Sequence, residues 1–337
     1  MTSRWRDPRL WLGFAVTIAA VAFALRGVDL HAVAREFRRA DLWWLILPSL
    51  PAYTAVMWLR GLRWRHLTNA IRPLPRLALC RATAIGFLAN NVLPLRVGEV
   101  LRSLLLAREC RLAPASVIGT VVIERVLDSF MVITMLAGAL WLAGDAGGTW
   151  QRGAIWLLPL AFVPALGLAW LRLAPAQVRH VLGVPLRLFP ERLQRFAFDQ
   201  LERVGDGLGA LRGGSHLFWI AFHTLTIWLV ASTIPILAGF ASLGLAFPSR
   251  LAELAAGWVT LGALALAVAL PSAPGFFGVY HSACRLALER FGFPAETAVA
   301  AGTLLHAVFW LTTSGLGLLA LRGAGAHLAD LDPDAGP

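Results

Sequence analysis

Long apolar runs recur along this chain, and short arginine-rich segments separate them. The composition agrees with this pattern, because 58% of the residues are hydrophobic and only 15% are charged. A soluble domain is about one-quarter charged, and about 20 predominantly apolar residues suffice for a helix to cross a bilayer. The sequence therefore predicts an all-α polytopic membrane protein, with residues 1–337 forming a single membrane domain.

The formal net charge is +11, and all 30 basic residues are arginines. A basic balance is also typical of proteins that bind nucleic acid. Here, however, the arginines lie between apolar runs, which is typical of cytoplasmic loops that face anionic lipid. We therefore expect membrane lipids as partners and no nucleic acid.

The apolar runs and their basic flanks predict about six full spans. They are Leu10–Leu25, Leu42–Leu59, Ala115–Leu142, Ala154–Leu171, Leu217–Phe240 and Thr297–Leu321. The first run also resembles a signal peptide, although the membrane-wide composition favours an uncleaved span. Because cytoplasmic loops carry excess basic residues, we expect cytoplasmic termini and a location in the bacterial plasma (inner) membrane. The same rule assigns to one cytoplasmic loop Arg60, Arg63, Arg65, Arg72 and Arg76.

Two further segments are predicted to be re-entrant helical hairpins of opposite orientation. Leu77–Leu106 has basic flanks on both sides but is too short for two crossings, so we expect a break at Asn90–Arg96 and a return to Ala107. The second hairpin extends from Leu251 to Leu288. Non-helical backbone at membrane depth is tolerated where it is buried in protein or lines a wet cavity. The break residues are Pro94 and Gly98 in the first hairpin and, in the second, Pro271, Pro274, Gly275 and Gly278.

The order of a span, a hairpin and a span occurs twice, at about residues 42–142 and 217–321. The first set begins outside and the second begins inside, which predicts an inverted repeat with a central site at the paired breaks. Between the sets, arginines alternate with Leu and Phe over residues 172–214. This alternation predicts either an amphipathic helix on the inner leaflet or a solvated linker helix.

Polar and ionisable residues lie inside apolar runs at two places. They are Asn90, Asn91, Arg96, Glu99 and Arg102 in the first hairpin, and Glu124, Arg125 and Asp128 in the next span. Charges in hydrocarbon are costly, so such groups indicate a functional site by default. Glu99 and Arg102 share one face of a helix that starts near Val97, where free amides beside Arg96 are suited to hold a phosphate.

These charges allow two interpretations. Three arginines and three acids sum to zero, so they are able to form a closed ion network that locks the hairpin to the next span. The functional interpretation requires one more positive charge for an anionic headgroup, and Arg285 is the candidate. His281 lies four residues before Arg285 on the same helical face, and His306 is expected nearby. A lone buried histidine is, however, more often a hydrogen-bonded core residue.

The polar motifs resemble the flippase-like membrane family typified by the transmembrane region of lysylphosphatidylglycerol synthase. The resemblance covers most of the chain and rests on three ordered motifs. They are the run from Asn90 to Arg102, Glu124-Arg125-x-x-Asp128, and Leu270-Pro271-x-x-Pro274-Gly275-x-x-Gly278. At two positions where the family frequently has Glu and Arg, this chain has His281 and His306.

The resemblance implies translocation of a lipid between leaflets, and we expect an anionic phospholipid or a polyprenyl-linked sugar as substrate. In the bifunctional synthases an aminoacyl-transferase domain follows the membrane part. Sixteen residues follow Leu321, so we expect neither aminoacyl transfer nor another enzyme activity. No nucleotide, hydrolase or metal motif is present, and acids that alternate with arginine argue against a metal site, so no cofactor is expected.

Two alternatives remain open at this point. One is a membrane enzyme that acts on a lipid phosphate, with Glu99, Glu124 or Asp128 as a base or metal ligand. The other is a non-catalytic partner of a lipid or glycan synthase. The sequence leaves the oligomeric state open.

Overall fold

A computed structural model of the chain describes residues 8–69, 71–143, 148–207, 214–270 and 272–323. These residues form helices joined by short connections, and no β-strand occurs among them. The prediction of an all-α protein is therefore confirmed. The helices are α1 (Pro8–Leu25), α2 (Leu30–Arg39), α3 (Leu42–Thr68), α4 (Arg76–Val92), α5 (Gly98–Cys110), α6 (Pro114–Ala143), α7 (Thr149–Leu173), α8 (Pro175–Leu186), α9 (Glu191–Gly207), α10 (Gly214–Leu225), α11 (Thr233–Ser242), α12 (Arg250–Ala269), α13 (Val279–Glu289) and α14 (Ala295–Gly323).

Six helical segments of the described residues are long and apolar enough to cross a membrane, in agreement with the predicted number. They are α3, α6, most of α7, α10 continued through α11, α12 and α14. The set differs from the prediction at two places. The predicted first span forms α1, which meets the same criteria only together with α2, and the two helices are bent by 80°. Conversely, α12 is long enough to cross by itself, although the sequence predicts one limb of a hairpin there.

Helix α3 continues well past Leu59, the predicted end of the second span. Arg60 and Arg63 therefore lie inside the helix, and both side chains are buried. The prediction that these two residues belong to a basic cytoplasmic loop is wrong. Buried arginines need acidic partners inside the protein, because water is not available to solvate them.

Helices α4 and α5 pack against each other and form the first helix–break–helix unit. The break follows Val92 and contains a 3₁₀ turn at Pro94–Arg96. It begins later than predicted, because Asn90 and Asn91 still belong to α4. The two asparagines therefore project from a regular helix and not from irregular backbone.

Helices α12 and α13 also pack against each other and form the second unit. Its break contains a 3₁₀ turn at Pro274–Phe276, and Gly275 and Gly278 have φ angles of 76° and 79° that favour glycine. Pro271, a predicted break residue, lies outside the described residues. The breaks of the two units contact each other, and α1 packs beside both of them.

Helices α8 and α9 occupy the predicted linker of residues 172–214, of which residues 208–213 lie outside the described part. Leu201 and Val204 of α9 pack against a buried cluster that includes Ile123 of α6. The side chain of Arg195 on the same helix is 76% exposed. Helix α9 thus turns an apolar face to the helix bundle and a charged face away from it.

The first testable prediction concerns Gly98, where α5 approaches α4 closely. A Cβ atom at Gly98 would lie 2.0 Å from the backbone oxygen of Gly86. We predict that Gly98→Ala lowers the free energy of unfolding by about 1–3 kcal/mol, as overpacking does. Gly138→Ala in α6 is the matched control, because nothing lies within 4 Å of that Cβ and alanine is the better helix former. Equal melting temperatures of the two variants in detergent would contradict this packing.

Candidate functional site

A cavity of about 170 Å³ lies between the two helix–break–helix units. Its polar wall residues are Arg60, Asn90, Arg96, Glu99, Arg125 and Ser232. Its aromatic wall residues are Tyr53, Phe87, Trp228, Phe276, Tyr280 and Phe309. The described residues contain no group of three or more His, Cys, Asp and Glu side chains placed to hold a metal ion. Both units therefore contribute to one site with charged and aromatic walls.

Asp128 of α6 binds two arginines of α3. Its Oδ2 accepts a hydrogen bond from Nη1 of Arg60 at 2.8 Å, and its Oδ1 accepts one from Nη1 of Arg63 at 2.7 Å. The indole N–H of Trp228 also donates to Oδ1 at 2.9 Å, and Arg63 donates to the hydroxyl of Thr224 at 3.1 Å. These contacts connect α3, α6 and the chain around α10.

Glu124 of α6 is fully buried and contacts four arginines. Its Oε1 lies 2.7 Å from Arg125, 3.2 Å from Arg102, 3.3 Å from Arg63 and 3.7 Å from Arg60. The four arginines come from α3, α5 and α6, so one carboxylate connects three helices. Several cations around one carboxylate offset the cost of its desolvation, which a single buried pair often does not.

Glu99 extends this ion network to the edge of the cavity. Its Oε2 lies 2.7 Å from Nη2 of Arg102, and its Oε1 lies 3.4 Å from Nη1 of Arg125. Arg102 also lies over the ring of Trp64, with 4.6 Å between the guanidinium carbon and the ring centroid. The side chains of Glu99 and Arg125 are 24% and 36% exposed, whereas that of Glu124 is 0% exposed. The network therefore runs from a dry interior to a partly accessible edge.

The described residues of this network carry more positive than negative charge. Arg96 lines the same cavity, its Nε is buried without a hydrogen-bond partner, and it forms no ion pair with the described residues, although Glu99 attracts it electrostatically. The set contains five arginines and three acids, so two positive charges remain uncompensated. The arginines are Arg60, Arg63, Arg96, Arg102 and Arg125, and the acids are Glu99, Glu124 and Asp128. An excess of this kind in a low-dielectric cavity attracts anions.

Arg60 and Arg63 are the two arginines that join the predicted set of three arginines and three acids, although their position in the sequence predicts a loop. Hydropathy ends the span at Leu59 because two charges follow it closely. The sequence nevertheless contains the correct signal, since residues three apart share a helix face and no proline follows until Pro73. A helix that continues through this region presents both arginines to α6.

Asn90 and Asn91 connect α4 to the start of α5 and to α14 through hydrogen bonds. Oδ1 of Asn90 accepts a hydrogen bond from the backbone N–H of Gly98 at 2.9 Å. Nδ2 of Asn91 donates to the hydroxyls of Thr313 and Ser314 in α14, at 2.8 and 2.9 Å. The predicted free amide at the start of α5 is therefore already bound within the protein.

Arg285 does not join the ion network, so the prediction that it supplies the additional charge is wrong. Its Nη1 donates to the carbonyl oxygens of Phe23, Ala24 and Arg26, at 2.8, 3.0 and 2.8 Å. Its Nε donates to Glu289 at 2.8 Å. Because the last carbonyls of a helix lack partners within the helix, Arg285 satisfies the end of α1 and fixes it to α13.

His281 and His306 lie together at the second break, with ring centroids 5.3 Å apart. Nε2 of His306 lies 2.6 Å from the carbonyl oxygen of Gly275, and the ring of Tyr280 stacks on His306 with a centroid distance of 4.8 Å. Tyr280 lines the cavity, but the two histidines are not among its wall residues. The histidines therefore support the second break from behind the cavity wall.

Comparison with protein families gives a match over residues 10–317 to the family described as Lysylphosphatidylglycerol synthase TM region. The chain belongs to this family. Members of the lysylphosphatidylglycerol synthase TM-region family are integral membrane proteins related to lipid modification or translocation. The match includes both helix–break–helix units and the cavity between them. Comparison with curated proteins and with solved structures gave no match.

The second prediction ranks the acids of the ion network by their burial. Glu124→Gln leaves four arginines around a neutral group, and breaking a buried pair costs about 3–5 kcal/mol. Glu99→Gln should cost less, because the side chain of Glu99 is 24% exposed. Glu253→Gln is the control, because its partner Arg250 is 95% exposed and such a pair contributes about 0–1 kcal/mol. Thermal unfolding in detergent measures the three losses of stability. A melting temperature of Glu124→Gln equal to that of the wild type would refute the ranking.

Proposed function

We propose that this protein moves an anionic phospholipid or a lipid-linked saccharide from one leaflet of the membrane to the other. The observation that carries the proposal is the cavity between the two units, whose ion network has two more positive than negative charges. Arginine binds phosphate oxygens through strong, charge-assisted hydrogen bonds. A phosphate held in this cavity is shielded from hydrocarbon, in which its charge is costly.

The aromatic wall suits the part of the lipid next to the phosphate. Tyr53, Trp228 and Phe309 offer apolar ring faces to a glycerol backbone, an isoprenoid chain or a sugar ring. The cavity of about 170 Å³ is smaller than the roughly 300–1,000 Å³ of pockets that enclose a whole small-molecule ligand. The acyl or prenyl tails therefore stay in the bilayer while the headgroup crosses.

The proposed movement uses the two units as re-entrant hairpins within an inverted repeat, at about residues 42–142 and 217–321. Three features support this arrangement: each unit is broken at proline and glycine, the breaks contact each other, and both units line the cavity. In transporters built from inverted repeats, the site lies at the interface of the repeats, which expose it alternately to the two sides. We propose that the two units open the cavity to one leaflet at a time.

We place this single membrane domain in the bacterial plasma membrane, with both termini in the cytoplasm and the linker of α8 and α9 on the inner leaflet. Leu173 at the start of the linker and Leu188 between α8 and α9 are 81% and 86% exposed. They lie beside Arg172 and Arg187. Exposed apolar residues next to arginines are typical of helices at an anionic membrane surface.

Translocation in this scheme requires no covalent step, so we propose that the lipid leaves the cavity unchanged and that the chain is not an enzyme. Glu99, Glu124 and Asp128 each contact at least two arginines. Carboxylates paired in this way are stabilised as anions, which suits a structural role better than that of a proton-accepting base.

The third prediction tests translocation directly in liposomes. Wild-type protein should accelerate the exchange of fluorescent phosphatidylglycerol, or of a fluorescent polyprenyl-phosphate sugar, between the leaflets. Arg96→Glu should abolish the acceleration, because it removes the excess positive charge. Arg250→Glu makes the same change at a side chain that is 95% exposed and should leave the exchange rate unchanged. Chemical quenching of the outer leaflet measures the rate.

Three results of this assay would count against the proposal. Chemical conversion of the lipid, detected by mass spectrometry, would favour the alternative of a membrane enzyme that acts on a lipid phosphate. Absence of exchange for both lipids would favour a non-catalytic partner of a synthase. Equal exchange rates for the wild type and Arg96→Glu would show that the lipid does not cross through the cavity.

The fourth prediction concerns the re-entrant geometry of α4 and α5, which requires both ends of this unit to lie on the cytoplasmic side. Cys110 is buried, so the exposed Arg108 is the better reporter. In a variant without the native cysteines, Arg108→Cys should resist a membrane-impermeant thiol reagent applied outside intact cells and should react after permeabilisation. Leu30→Cys, at a 63% exposed position predicted to lie outside, is the positive control. Labelling of Arg108→Cys from outside would disprove the re-entrant geometry.

A further inference from the structure

Arg96 differs from the other arginines of the cavity because it forms no ion pair with an acid among the described residues, although Glu99 attracts it electrostatically. Its Nε is buried without a hydrogen-bond partner, and its side chain lines the cavity. The residue is partly exposed, and the acid that attracts it, Glu99, already lies within ion-pair distance of Arg102 and Arg125. Arg96 is therefore placed to bind an anion in the cavity.

The backbone at Arg96 is held in a conformation that arginine rarely adopts. Its φ angle is 53°, in the left-handed region, and it is the last residue of the 3₁₀ turn in the first break. Phe276 in the second break has a φ angle of 62° and also lines the cavity. Strained residues of this kind cluster at ligand clamps, where the surrounding structure holds them in place. Each break thus contributes one strained residue to the cavity wall.

Arg96 also determines the size of the excess charge. Without it, four arginines face three acids and one positive charge remains, whereas with it two remain. A phosphodiester headgroup carries one negative charge. A terminal phosphate monoester has a second pKa of about 6 and therefore carries nearly two negative charges at pH 8.

We propose that the cavity selects lipids whose headgroup is a doubly negative phosphate, either a terminal monoester or a diphosphate, and that Arg96 binds the second negative charge. This inference rests on the proposed translocation and narrows its substrate class. The volume of about 170 Å³ agrees with it, because the space suits a phosphate group that bears no large substituent inside the cavity.

The test compares two lipids with the same acyl chains on the purified full-length chain in detergent. At pH 8, dioleoyl phosphatidic acid should bind about tenfold more tightly than dioleoyl phosphatidylglycerol, because it makes an additional charge-assisted contact. At pH 5 the monoester has lost its second charge, so the ratio should approach one. In Arg96→Gln, the two lipids should bind with about equal affinity at pH 8. Arg250→Gln, which removes one charge from an exposed site, should retain it.

Inorganic phosphate, at the concentration of the lipid, distinguishes a lipid headgroup from a soluble anion and should bind much more weakly. Binding of inorganic phosphate as tight as that of phosphatidic acid would overturn the lipid assignment. Equal affinity of the wild type for the two lipids at pH 8, or an unchanged ratio in Arg96→Gln, would overturn the selectivity. Exchange of phosphatidylglycerol in liposomes without this preference would leave the proposed translocation standing and refute only the present inference.

Discussion

The carboxylate of Glu124 is the contact on which the arrangement of the first unit depends. Four guanidinium groups from α3, α5 and α6 lie 2.7 to 3.7 Å from one of its oxygens, and the side chain is 0% exposed. None of these charges is stable alone in the interior of a membrane protein, because an unpaired buried ion costs several kcal/mol. The three helices must therefore pack together at this point, which fixes α5 against α3 and α6.

This packing also forms the site. With α5 held in place, Asn90 fixes the start of α5 through Gly98, and the intervening break leaves Arg96 at the cavity. The second unit closes the other side with Phe276 and Tyr280. A closed structural network and an anion site, which are alternatives at the level of sequence, are therefore two aspects of one arrangement. The acids hold the fold together, and the arginines in excess of them remain available for a ligand.

Composition and hydropathy were sufficient to predict an all-helical membrane protein with about six spans, and polar residues inside apolar runs were sufficient to indicate Glu99, Glu124 and Asp128 as members of an ion network. Arg60 and Arg63 were not predicted, because a hydropathy window ends a span where charges begin and does not register acids on another helix. Arg285 was misplaced for a related reason. Its spacing from His281 suggests a common site, but Arg285 binds the carbonyl oxygens at the end of α1, whereas His281 contacts His306 of α14. Whether a charged side chain is solvated or paired depends on residues that are distant in the sequence. A local sequence pattern does not contain those residues, so it cannot predict the pairing.

We propose that the excess positive charge between the two units holds a lipid phosphate. Cryo-electron microscopy of the protein in nanodiscs that contain phosphatidic acid and phosphatidylglycerol would show whether a phosphate occupies the cavity. We predict phosphate density in the cavity, within about 3 Å of the guanidinium nitrogens of Arg96, with the acyl chains extending into the bilayer. Headgroup density confined to the outer surface of the helices, with the cavity filled by water or by protein side chains, would contradict it.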